Sequence, residues 1–253
     1  AGGSRERPVD YGTLAGLLGE ERERGGLAVW VVGPALVHAR AREDLIWFIE
    51  RGYVGALLGG NAVAVHDLEA AIFGTTLGMS STGQGVEGGH ALHMRALNAV
   101  RRAGSIEAAV RERLVRTGIM HALVTHGVPY VLAGSIRDDG PLPGVESDTL
   151  AAQDAMRAIT ARATFAVFVA TALHAIAVGN MLPAFVDAPA PDDVRPLPTI
   201  CVDQTEFVVN KLRDRGTHQA YGVVTNAQDF MHVLRFYVER WEQGRTSASP
   251  HPR

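Results

Sequence analysis

The residues that could do chemistry in this chain gather in a few short polar stretches. The richest is Ala133-Gly134-Ser135-Ile136-Arg137-Asp138-Asp139-Gly140-Pro141-Leu142-Pro143, an Arg beside two carboxylates, closed by Gly-Pro and a second Pro. The prolines stiffen it, and Asp139 suits a ribose hydroxyl or a substrate amine, although Asp-Asp-Gly-Pro is also ordinary turn chemistry. Glu87-Gly88-Gly89-His90 offers a carboxylate and an imidazole for proton transfer, or else a surface turn into a helix. Lys211 is the only lysine; buried, it can act as a base or polarise an amine, and solvated it does neither.

Asn61 follows Gly59-Gly60 at a helix start, where it either caps the helix or lets the turn point N–H groups at an anion. His66, Asp67 and Glu69 follow it, but their spacing alone does not make a metal site, and no metal is expected. Thr171-Ala172-Leu173-His174 ends an apolar run; a lone His there is either a core residue or, at a strand end, a functional one. Asp203-Gln204 puts an acid where ribose hydroxyls can be held, and Thr225-Asn226-Ala227 places a second Asn at a helix start. Cys201 lies within an apolar run and reads as inert packing.

These stretches share a position in the pattern. Short, β-branched apolar runs occur at Leu27–Gly33, Val54–Gly59, Pro129–Gly134, Phe165–Thr171, Pro198–Asp203 and Tyr221–Thr225. Each is too short for a helix and apolar on both faces, as in strands buried in a parallel sheet. Helical spacing fills the intervals at Ala41–Arg51, Ala62–Phe73, Ala91–Arg101, Ser105–Thr125, Thr149–Arg162, Glu206–Arg215 and Ala227–Glu242. Strand and helix in alternation predict an α/β fold with a doubly wound, mostly parallel sheet, whose ligands lie beyond the carboxyl ends of the strands. After the first run, however, the chain reads Gly33-Pro34-Ala35, not a G-x-G-x-x-G fingerprint. Gly74–Gly89 reads as a long loop and Asp187–Pro198 as a surface insertion. The expected division is an N-terminal arm (1–26), one α/β domain (27–243) and a disordered tail (244–253).

Composition excludes several roles. At 253 residues, 47% hydrophobic and 20% charged, the chain has enough apolar material for one core. A net charge of -3 and no basic stripe argue against nucleic acid. One cysteine permits neither an intrachain disulfide nor a multi-thiolate zinc site, which fits a reducing cytoplasm. No apolar run reaches the roughly 20 residues that span a bilayer, so no membrane partner is expected. The chain opens on Ala1, as a processed or excerpted sequence would.

The segments "REDLIWFIERGYVGALLGGNAVAVHDLEA", "VEGGHALHMRALNAVRRAGSI", "VPYVLAGSIRDDGPLPGV", "LHAIAVGNMLP" and "ICVD" together resemble one family. It is the archaeal-type NAD-dependent ornithine cyclodeaminases, whose conserved domain is also labelled lysine-oxoglutarate reductase/saccharopine dehydrogenase bifunctional enzyme. The resemblance runs from about Leu27 to Val238 and implies a Rossmann-like fold related to deoxyhypusine synthase, a tightly held NAD and a homo-oligomer. Carried over position by position, it implies NAD contacts at Asn61, Ala62, Asp139, Thr171, Ala172, Leu173, His174, Asp203, Asn226 and Ala227. All lie at strand ends.

It also implies a cycle in which NAD oxidises the α-carbon of L-ornithine to an imine, the δ-amine attacks that carbon, ammonia leaves and the returned hydride gives L-proline. Asp138, Glu87, His90 and Lys211 are the candidate proton carriers. The chain departs from the family in lacking the usual domain ahead of the first strand, in the length of Asp187–Pro198, and in Gln204-Thr205-Glu206 after Asp203. Two alternatives follow from these departures: another diamino acid or amine as substrate, or a NAD-binding subunit completed by a separate partner chain.

Overall fold

The computed structural model describes residues 10–74, 89–134, 141–171, 177–186, 194–204 and 220–248. The strands are β1 (Ala28–Val32), β2 (Ala56–Gly60), β3 (Tyr130–Ala133), β4 (Phe165–Val169), β5 (Phe185–Val186), β6 (Arg195–Pro196), β7 (Thr199–Asp203) and β8 (Ala220–Val224). Six form one sheet in the order β3-β2-β1-β4-β7-β8, and every neighbouring pair in it is parallel. β5 and β6 make a separate antiparallel pair. Taken as the six main strands in chain order, the sheet runs 3-2-1-4-5-6, the doubly wound arrangement with its switch point between β1 and β4.

Helices α1 (Tyr11–Glu23), α2 (Ala39–Glu50), α3 (Asn61–Phe73), α4 (Gly89–Ala103), α5 (Ile106–Arg111), α6 (Ile119–Thr125), α7 (Thr149–Thr160) and α8 (Ala227–Ala248) surround it. Alternate strand residues serve opposite faces, as the pleat requires. Trp30, Val32, Phe165, Val167 and Val169 join one core with Leu14 of α1, Phe48 of α2 and Phe230 of α8. Val29, Val31, Ala166, Phe168 and Cys201 join a second core with Met156 and Ile159 of α7. Central strands β1 and β4 are buried at every residue, so their unbroken apolar runs have a cause.

Ion pairs tie the outer helices across long sequence distances. Arg22 of α1 and the Tyr53 hydroxyl both reach Glu242 of α8 at 2.8 Å. Arg195 donates twice to the buried Glu21, at 2.8 and 3.0 Å. The expected surface insertion Asp187–Pro198 therefore ends otherwise than its composition suggests: Arg195–Pro196 is a strand and Leu197 is fully buried. Among the described residues no helix is long and apolar enough to cross a membrane.

Where one helix was expected over Ser105–Thr125, there are two. Arg113 and Gly118 have positive φ (60° and 110°), which no α-helix passes through. The break is filled by Asp67, whose carboxylate accepts from the amides of Ile119 and Met120, both at 2.8 Å, and from Arg42 at 2.8 Å. A Cβ on Gly118 would meet these same Arg42 and Asp67 atoms at 2.6–2.8 Å, so space as well as φ demands glycine.

Candidate functional site

Around the carboxyl edge of the sheet, two strand ends close tightly at the switch point. The amide of Gly33, just after β1, donates to the carbonyl of Val169 at 3.0 Å. A Cβ on Gly33 would stand 1.7 Å from the carbonyl oxygen of Ala170, so only glycine allows the two strand ends to close. Ala170 itself has φ 59°, a left-handed conformation that strains an L-residue and collects at ligand sites. Gly33 thus does the close-approach work of a fingerprint glycine without the rest of the motif.

Next along the edge, β2 runs directly into α3. Gly60 is the N-cap, so Asn61 is the first helical residue and not the cap expected of it. Its side chain is turned inward, 5% exposed, and its Oδ1 accepts the amide of Leu142 at 3.1 Å. That bond holds the chain beyond the 135–140 segment against the end of β2. A helix N-terminus whose N-cap is a glycine, reached through Gly59-Gly60, is suited to an anion. Ala62 stands in the same turn, half-buried.

On the other flank, Asp203 ends β7 half-buried, and its carbonyl accepts the amide of Thr225 at 3.0 Å. Asn226 behaves unlike Asn61: its Oδ1 accepts the Asp229 amide at 2.8 Å and its Nδ2 donates to the Asp229 carboxylate at 2.7 Å. Ala227 is buried at the helix start and Thr171 is half-buried just past β4. Asn61, Ala62, Thr171, Asp203, Asn226 and Ala227 therefore all stand at carboxyl strand ends. Glu87, Asp138, Asp139, Ala172, Leu173, His174 and Lys211 lie outside the described residues. His90 is in the first turn of α4, its side chain outside the description. Cys201 is buried within β7, its thiol pushed up to about 12 by burial and, less, by Asp203.

One constellation escaped sequence reasoning. His66 and Glu69, one turn apart on α3, meet His93 of α4: His93 Nδ1 lies 3.0 Å from Glu69 Oε2. The rings of His66 and His93 are 5.8 Å apart, and His38 lies 6.1 Å beyond His66. Glu69 is fully buried and His66 nearly so. Burial pushes the His66 imidazole down to about 4, aided by His93 and His38 and opposed by Glu69, so it is neutral near pH 7. The His66-x-x-Glu69 spacing was visible, but only the packing of α4 on α3 brings in His93.

Residues 13–234 match the family described as arginine dihydrolase ArgZ-like, C-terminal, Rossmann fold. Ornithine cyclodeaminase of Methanopyrus kandleri is 47% identical over 235 residues, covering 91% of this chain and 54% of its own length. A solved structure described as the ternary complex of AgrE with ornithine and NAD+ superimposes with a TM-score of 0.84 at 39% identity, over 92% of this chain and 33% of that one. At the level of fold alone, a deoxyhypusine synthase from Entamoeba histolytica shares the architecture, with a TM-score of 0.54 and 7% identity over 95% of this chain and 96% of that one. The chain spans about half the length of the archaeal relatives it matches.

Proposed function

The chain belongs to the arginine dihydrolase ArgZ-like, C-terminal, Rossmann-fold family, and on that premise we propose that it is a NAD-binding enzyme converting L-ornithine to L-proline and ammonia. The observation that carries this reading is the switch point. There Gly33 lies against the Ala170 carbonyl, α3 begins at a glycine N-cap with its first turn at the strand end, and Asp203 ends a neighbouring strand half-buried. These features fit a dinucleotide: amides at a helix N-terminus for the pyrophosphate and a carboxylate for ribose hydroxyls. The AgrE relative described with ornithine and NAD+ supports the choice of both ligands.

NAD bound there supplies a hydride acceptor and then a donor, so no net oxidant is consumed. The protein's own share is orientation and proton transfer. Asn61 fixes Leu142, three residues past Asp139 in the chain. Asp139, Thr171, Ala172, Leu173 and His174 are assigned to the cofactor as well, with Asn226 and Ala227 contributing from the start of α8. Glu87, His90, Asp138 and Lys211 carry protons to and from the substrate's amines.

Incubating the purified chain with L-ornithine and NAD should yield proline and ammonia in equal amounts, and native mass spectrometry should show a retained dinucleotide. A second reading is favoured by the 54% coverage of the Methanopyrus relative: the chain binds NAD but turns over only with a companion domain. A retained dinucleotide without proline selects that reading, and neither signal discards both.

A further inference from the structure

We propose that His66, Glu69 and His93 form a binding site for one divalent transition-metal ion of the zinc class, made of residues to which the chemistry proposed above gives no role. Each residue offers one ligand atom, and the three atoms lie within 4.8 Å of one another. Two imidazoles and a carboxylate are the mixed nitrogen and oxygen set that zinc, cobalt(II) and nickel(II) accept, with a fourth position left for water or another ligand. Zinc bonds of about 2.0–2.2 Å put tetrahedral ligand atoms about 3.3–3.6 Å apart. The Glu69–His93 pair, at 3.0 Å, is already inside that spacing, and the His66 nitrogen lies within 4.8 Å of both.

Two further observations favour an ion over a merely structural pair. The His66 side chain is more than nine-tenths buried, and its Nδ1 has no hydrogen-bond partner among the described residues. A buried, unpaired imidazole nitrogen is costly in a folded protein and calls for an explanation such as an unplaced ion. Glu69 is fully buried, which makes its carboxylate a strong attractor for a cation once the imidazoles converge.

The test uses the full chain, stripped with a chelator and dialysed against cobalt(II), then zinc. One cobalt per chain by elemental mass spectrometry is expected, with a visible ligand-field band that zinc abolishes. His66→Ala and His93→Ala should each weaken binding by at least about tenfold, the scale on which changes around a metal act. Glu69→Gln should do the same, with circular dichroism verifying the fold. His93→Cys, which keeps a ligand, should restore binding and shift the cobalt band toward a thiolate spectrum. The proposal is overturned if the wild-type chain takes up no stoichiometric ion, or if its ion is retained unchanged by all three ligand-removing variants. Because none of these readouts needs ornithine or NAD, failure here leaves the cyclodeaminase reading standing, and the reverse holds as well.

Discussion

Asn61 and Asn226 occupy matching places: each follows a strand of the parallel sheet and each opens a helix. The structure gives them opposite employment. Asn226 bonds the Asp229 amide and carboxylate three residues on, which is local capping that the first turn of α8 needs wherever it occurs. Asn61 leaves the cap to Gly60 and accepts the amide of Leu142, 81 residues away, in a buried setting. One flank of the carboxyl edge is thus held by contacts between distant segments, including the Gly33–Ala170 closure, and the other by contacts within a turn. A residue's place in a motif sets where it is; its neighbours in space set what it does.

The difference can be broken or sharpened by substitution. Gly33→Ala should have the largest effect, at or beyond the upper end of the roughly 1–3 kcal/mol that overpacking costs, because its Cβ meets backbone and not a side chain that can yield. Urea denaturation would read it, and NAD affinity should fall with stability if the strand ends form the cofactor's floor.

Asn61→Ala comes second, at about 2 kcal/mol, because it strands the buried Leu142 amide without an acceptor. It should also weaken NAD binding, measured by titration. Asn226→Ala should cost only about 1 kcal/mol, the ordinary value of a lost N-cap. Equal losses at the two asparagines would dissolve the contrast between distant and local bonding. Combined, the two substitutions should add, since they share no partner.

Ala170→Gly should have the smallest effect, a few tenths of a kcal/mol. Relief of the left-handed strain is offset by the added freedom of the unfolded chain. A thermal melt would register it, and a loss above about 1 kcal/mol would mean that the Ala170 methyl itself is packed.

Much of the fold was legible because its signals are local. The six apolar runs are short and unbroken, and all six became the parallel strands of one sheet, with bounds shifted by only a few residues. The helix over Ser105–Thr125 was misread because its break depends on Asp67, 52 residues before the Ile119 amide it accepts, and on a positive φ at Arg113, a residue type that does not announce it. α8 continues to Ala248, past Glu242, where the apolar spacing gives out but helix-compatible residues do not.

The sequence by itself determined the alternation of strand and helix, the parallel sheet and the rule that polar residues after each strand meet at one edge. Period, residue shape and chain order act within a few residues of one another, so they can be read in one dimension. Only the tertiary structure decided that Gly33 closes on Ala170, that Asn61 reaches Leu142 and that His93 joins His66 and Glu69. Those contacts follow from burying helices against a twisted sheet. Their partners are chosen by packing in three dimensions, which no spacing along the chain encodes.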